Sequence, residues 1–85
     1  MNFYFQPRTQ AYKSWEQIKI GDRVMFSCVP YVPATVRKIL YCDGPYVAIE
    51  FDKPVPYATH NCCGDVPSGN GYFISTRALI EKIIE

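Results

Sequence analysis

The stretch from residue 20 to residue 51 constrains the fold most, because it holds three short apolar segments separated by turn residues. The clearest of them is residues 46–51, where Val47, Ile49 and Phe51 alternate with more polar or smaller side chains. A period of two is typical of a strand that buries one face. This segment is therefore predicted to be a strand whose apolar face meets a core.

Two earlier strands are predicted. In residues 23–28, Val24, Phe26 and Cys28 share one face, and in residues 34–41 Val36 is expected to face inward. The residues between them, 29–33, include two prolines, which lack the N–H that a central strand donates. We expect this segment to be a loop with Tyr31 exposed.

The rest of the chain supplies two more strands. Periodicity is lost over 52–70, which is predicted to be one long irregular loop. Residues 71–75 are predicted to be a fourth strand, and residues 76–79 a single turn of 3₁₀ helix. Residues 79–84 are either a fifth strand or a short helix, and their β-branched isoleucines favour the strand. Five short strands at close spacing predict a small all-β barrel.

We divide the chain into an aromatic N-terminal arm, residues 1–13, and a barrel domain, residues 14–85. The arm holds Phe3, Tyr4 and Phe5. Such a segment either packs on its own domain or contacts a partner, and the sequence leaves both open.

The composition predicts a small globular protein of the cytoplasm. The 85 residues are 48% hydrophobic with a net charge of +1, so no polyanion is indicated by charge alone. No basic and apolar leader is evident, and no apolar segment approaches the ~18 residues of a membrane span. We expect no membrane partner, and we expect the four cysteines to be mostly reduced thiols.

The order and spacing of several motifs resemble those of small SH3-like barrel proteins of bacteriophages and bacteria. The motifs are Ile-Gly-Asp-Arg-Val at 20–24, Tyr-Val-Ala-Ile-Glu-Phe-Asp at 46–52, His60 followed by Gly64, and Gly-Tyr-Phe-Ile at 71–74. The resemblance implies a five-stranded SH3-like barrel of viral or mobile-element origin, but no activity. The chain departs from the pattern at residues 34–36, where Ala-Thr-Val stands for the usual Gly-x-Val, and in its N-terminal arm.

Exposed tyrosines on loops predict a protein-binding face. Tyrosine gives a large and rigid contact area, and SH3-like barrels bind peptides across exposed aromatic residues. The predicted partner-binding residues are Tyr31, Tyr57, His60 and Tyr72. On this reading, the protein is a non-enzymatic module that engages a host protein and needs no cofactor.

The alternative to protein binding is that the protein binds nucleic acid. Basic side chains beside aromatic ones are typical of single-stranded nucleic-acid sites. The candidate residues are Arg23, Arg37, Lys38 and Lys53. Acidic residues interspersed in the same strands would repel phosphates, which makes this alternative the less favoured one.

The segment from Thr59 to Cys63 is the densest in chemical groups. His60, Cys62 and Cys63, with Cys28 or Cys42, are candidate zinc ligands, although adjacent cysteines suit a zinc site poorly. A thiol nucleophile would need a base and an oxyanion site that the sequence does not indicate. We therefore expect His60 to bind loop backbone, and we predict neither a metal site nor an enzyme.

Overall fold

A computed structural model describes residues 7–40, 46–56 and 58–84, and these residues form an all-β fold. Six strands make one antiparallel sheet with the order β1-β6-β2-β3-β4-β5. The strands are β1 (Thr9–Ala11), β2 (Arg23–Phe26), β3 (Val29–Leu40), β4 (Tyr46–Phe51), β5 (Gly71–Ile74) and β6 (Ile80–Ile83). The described residues include no α-helix. Single turns of 3₁₀ helix lie at Trp15–Gln17, Cys62–Gly64 and Arg77–Leu79.

The all-β prediction is confirmed, but the sheet has six strands rather than five. The additional strand, β1, comes from the N-terminal arm and pairs with β6, with Thr9 opposite Ile83 and Ala11 opposite Glu81. Just after β1, Tyr12 is 5% exposed and belongs to the core. Residues 9–12 thus pack on the sheet of their own chain.

The prediction of a loop over residues 29–33 is wrong, because β3 begins at Val29 and runs through both prolines. The pairing of β2 with β3 shifts register between Val24 and Phe26. A bulge of this kind leaves residues without a ladder partner, so the missing proline N–H costs no ladder hydrogen bond. Tyr31 is nevertheless exposed, with 58% of its surface accessible.

The core lies on one face of the sheet. The alternation of β4 is confirmed, since Val47, Ile49 and Phe51 are each at most 1% exposed. Neighbouring strands add side chains to the same face, namely Val24, Phe26, Val32, Ala34, Val36, Ile74 and Ile80. Burial of this apolar surface is the main stabilising contribution to the fold.

The sheet is curled rather than flat. The rings of Phe26 on β2 and Tyr72 on β5 have centroids 5.6 Å apart, although two strands separate β2 from β5. Strands spaced at about 4.8 Å would hold these residues roughly 14 Å apart in a flat sheet. The core face is therefore concave, and it brings β2 and β5 together.

The long loop covers the opposite face of the sheet. Cys62 and Val66 are fully buried with Ala48 of β4, and Phe73 of β5 packs against them. Polar contacts fix the edges of this cover: Ser68 Oγ donates to Glu50 Oε2 at 2.6 Å. The loop is thus packed by its own side chains, and it covers the face of β4 and β5 that is opposite the core.

Candidate functional site

A groove beside Phe26 is the best candidate for a binding site among the described residues. Its volume is about 300 Å³, and it opens between the arm, the β2–β3 turn and the Arg77–Leu79 turn. The residues that line it are Pro7, Thr9, Met25, Phe26, Ser27, Pro30, Ala78, Leu79 and Glu81. We call this feature the Phe26 groove.

Hydrogen bonds hold the walls of the Phe26 groove in place. The backbone N–H of Ser27 donates to the carbonyl oxygen of Leu79 at 2.8 Å, which joins the β2–β3 turn to the 3₁₀ turn. On the other wall, Thr9 Oγ1 donates to Glu81 Oε1 at 2.5 Å. The groove is therefore preformed, which reduces the ordering cost of binding a ligand.

Two of the predicted tyrosines adjoin the Phe26 groove. Tyr31 follows Pro30, which lines the groove, and it is 58% exposed. Tyr72 is 36% exposed and contacts the Phe26 ring. Tyr57, the third tyrosine of the predicted face, lies outside the described residues.

His60 is exposed but lies on the other side of β5 from Tyr72. Its ring meets Phe73 edge-on, with centroids 5.6 Å apart. Successive residues of a strand point to opposite faces, so Phe73 and Tyr72 project away from each other. Tyr72 therefore contacts Phe26 of the groove, and Tyr31 follows Pro30 of the groove in the chain, although neither tyrosine lines it. His60 lies on the face covered by the loop.

His60 holds the backbone of the long loop. Its Nδ1 accepts a hydrogen bond from the backbone N–H of Cys62 at 3.2 Å. Its own N–H and carbonyl oxygen pair with Gly71 at 3.1 and 2.9 Å. This is the backbone-binding role that the sequence favoured for His60.

Three of the four basic residues proposed for nucleic acid are in ion pairs. Both terminal nitrogens of Arg23 donate to Asp52, at 2.8 and 2.5 Å. Arg37 Nε donates to Glu50 Oε1 at 2.7 Å. In the third pair, Lys38 Nζ lies 3.8 Å from Asp65 Oδ1.

Carboxylates neutralise the proposed basic patch. The hydrogen bond from Arg23 lowers the pKa of Asp52, and nearby Lys53 lowers it further. Hydrogen bonds from Ser68 and then Arg37 lower the pKa of Glu50. Both carboxyl groups are thus held in the charged form beside the cations, which reduces the attraction of this surface for phosphates.

The adjacent cysteines point in different directions. Cys62 is fully buried and Cys63 is exposed, and both have a positive φ, of 52° and 57°. Burial raises the pKa of the Cys62 thiol, and the neighbouring Cys63 and Asp65 add to the effect. A thiol that is mostly protonated is a weak nucleophile and a weak metal ligand.

Neither a metal-binding cluster nor a membrane-spanning helix is found among the described residues. Across residues 7–40, 46–56 and 58–84, no three His, Cys, Asp or Glu side chains are grouped so that they could hold a metal ion. Over the same part of the chain, no helix is long and apolar enough to cross a membrane.

The sequence did not indicate the Phe26 groove, because its walls come from distant parts of the chain. Met25 and Glu81 are register partners in the β2–β6 ladder, 56 residues apart in sequence. The one local feature that could have indicated a binding site is Phe26, an aromatic residue near the end of a predicted strand and before a segment with two prolines. The clustering of Pro7, Pro30 and Leu79 around it depends on tertiary contacts.

Comparison with models of known protein families, with curated proteins and with solved structures finds no match.

Proposed function

We propose that the protein is a non-enzymatic binding module that engages a partner protein through the Phe26 groove and the adjoining tyrosines. The observation that carries the proposal is the contact of the exposed Tyr72 ring with Phe26, which lines a preformed groove together with Met25. The exposed Tyr31 follows Pro30, another residue of the lining, in the chain. Exposed tyrosines around an apolar depression are typical of protein interfaces.

The resemblance of the sequence motifs to those of small SH3-like barrel proteins supports a further proposal about the fold and the origin of the protein. We propose that the curled sheet is an SH3-like barrel, which the contact between Phe26 and Tyr72 supports because it joins strands that are not neighbours. On the same resemblance, the protein is a phage or mobile-element accessory protein that acts on a host protein in the host cytoplasm. His60 and Tyr57 remain predicted contributors to the partner surface.

Nucleic-acid binding through Arg23, Arg37, Lys38 and Lys53 is the weaker proposal. Three of these side chains already have carboxylate partners. A phosphate would have to displace those partners, which opposes binding. A zinc-stabilised module has less support still, since the Cys62 side chain is buried in an apolar cluster.

An affinity capture from bacterial lysate, with and without nuclease, tests the proposed function. The bait is the tagged protein, compared with its Tyr31→Ser and Tyr72→Ser variants. We expect a discrete protein that nuclease does not remove and that the wild-type protein retains better than either variant. The matched control is Ile20→Ser, because Ile20 is 64% exposed but does not line the Phe26 groove.

The same capture distinguishes the alternatives. Recovery of nucleic acid, or loss of all bound protein after nuclease treatment, would contradict the protein-binding proposal. Binding that weakens equally in Ile20→Ser and Tyr31→Ser would show that the tyrosines are not specific contacts. Phosphate contacts would also make binding fall steeply with salt, whereas a tyrosine-centred interface depends on salt much less.

A further inference from the structure

A second cavity, of about 370 Å³, shares no lining residue with the Phe26 groove. It is lined by Gln10, Ala11, Tyr12, Lys13, Gln17, Lys19 and Lys82. These residues come from β1, the segment after it, the Trp15–Gln17 turn and β6. We call it the lysine pocket. None of its lysines belongs to the basic patch that the sequence suggested.

The lysine pocket is strongly cationic. Among the seven described residues that line it, three are lysines and none carries a carboxylate. Glu16, on the same turn as Gln17, lines a different depression. Several lysines around one cavity favour the binding of an anion there.

Asp22, which contacts three residues of the pocket, is occupied by these and leaves part of their charge unpaired. Its Oδ2 accepts from the Tyr12 hydroxyl at 2.8 Å and from the backbone N–H of Lys19 at 3.0 Å. Its Oδ1 lies 3.9 Å from Lys82 Nζ. One carboxylate therefore offsets part of the charge of three lysines and leaves a net positive pocket.

The glutamines add donors of the kind that an oxyanion accepts. Gln17 Oε1 accepts a hydrogen bond from the backbone N–H of Lys13 at 2.8 Å. With its oxygen engaged in this way, the Gln17 side chain has its NH₂ group left to donate to a ligand. Gln10 lines the same cavity and carries the same donor group.

We propose that the lysine pocket binds the phosphate group of a small phosphate monoester. Lysine is a common phosphate ligand that acts as a point charge, and the dianionic monoester suits three ammonium groups. The volume matches that of sites for small molecules. A single pocket fits one phosphate better than the extended track that a polynucleotide backbone needs.

A titration followed by amide NMR shifts tests this proposal with two probes, inorganic phosphate and phenyl phosphate. Ionic strength is held constant with sodium chloride. We expect saturable shifts confined to residues 10–13, 17–19 and 82. Lys13→Gln and Lys19→Gln should each weaken binding about three- to fivefold, as expected for an exposed ion pair.

Lys53→Gln is the matched control, because Lys53 is an exposed lysine that does not line the pocket. Its binding of both probes should equal that of the wild-type protein. Shifts without saturation, or an equal loss of affinity in Lys53→Gln, would overturn the proposal. So would tighter binding of a single-stranded oligonucleotide than of phenyl phosphate at the same residues, which would assign the pocket to a polymer.

Discussion

Cys62 and Gly71 are in close contact between the long loop and β5: the sulfur of Cys62 lies 2.9 Å from the position that a Cβ atom would occupy at Gly71. The same position is 2.6 Å from the carbonyl oxygen of His60 and 3.0 Å from Cβ of Val66. Two of these atoms belong to backbone or to a Cβ, so they cannot move without the chain. The absence of a side chain at Gly71 is therefore what allows the loop to cover β5.

Gly71→Ala should displace the loop and destabilise the protein by about 1–3 kcal/mol, the usual cost of overpacking a filled site. Chemical denaturation measures the loss, and amide exchange over residues 60–66 should become faster. Ser75→Ala, an exposed position just after the same strand, is the control and should change stability little. An unchanged midpoint for Gly71→Ala would show that the loop does not approach β5 so closely.

Phe51→Ala should destabilise the protein by about 3–5 kcal/mol, as expected for truncation of a buried aromatic side chain. Phe51 is 1% exposed, and its ring lies 6.2 Å from that of Phe26. The measurement is the free energy of unfolding in urea. Ile20→Ala, at a largely exposed position, should lie close to the wild-type protein. A loss below about 1 kcal/mol for Phe51→Ala would place this residue outside the core.

His60→Ala should loosen the long loop by removing the acceptor for the Cys62 N–H, at a cost of about 1 kcal/mol. Hydrogen exchange of the Cys62 amide is the direct readout, and it should become faster. His60→Asn is the informative comparison, because its side-chain oxygen can replace Nδ1 as the acceptor. Equal protection of Cys62 in His60→Ala and the wild-type protein would contradict the role of His60.

Stability should decrease in acid as Glu50 and Asp52 become protonated. The pKa of each is lowered in the folded protein, that of Glu50 by Ser68 and Arg37 and that of Asp52 by Arg23. A depressed pKa contributes stability that is present above the unfolded value, about 4, and is lost as the pH falls through the folded value. Asp52 is exposed and Glu50 is partly exposed, so screening by solvent keeps the effect modest.

Unfolding midpoints at pH 6 and pH 3 test this dependence. In Glu50→Gln the difference between the two midpoints should be smaller than in the wild-type protein, and in Ser68→Ala it should be reduced in the same direction. Glu16→Gln is a control, since Glu16 is exposed on the turn before β2 and the acid dependence should not change. An identical acid dependence in wild-type protein and Glu50→Gln would contradict the assigned contacts.

The strands that the sequence predicted are those in which the local pattern of apolar residues matches the side that the folded sheet buries. Tyr46–Phe51 has the predicted bounds, because its alternating side chains meet a core on one face. The strand β6 was favoured over a helix by its isoleucines, and the 3₁₀ turn predicted over 76–79 is present at Arg77–Leu79. Strand β1, by contrast, has a sequence of Thr, Gln and Ala without alternation, and it is a strand because β6 offers a free edge.

The candidate site was predicted less well, because it depends on how the sheet curls. Tyr31 was expected to be exposed, and it is, but its place in a strand follows from a register shift that no local pattern shows. His60 was grouped with Tyr72, yet the loop carries His60 to the opposite face. Among the acids of the same strands, Glu50 and Asp52 form ion pairs with Arg37 and Arg23. Lys38 pairs with Asp65 of the long loop, a contact that the strand pattern does not show.

The strand order β1-β6-β2 has a consequence for how the chain assembles. The first two strands do not pair with each other; each pairs with β6, whose residues come last in the described chain. During synthesis, β3 and β4 can form a local hairpin early, whereas Thr9 must wait until Ile83 has left the ribosome. Closing so large a loop is slow relative to local pairing. On the ribosome, the backbone edge of β2 that faces β6 therefore stays unpaired until β6 has been synthesised and has left the exit tunnel.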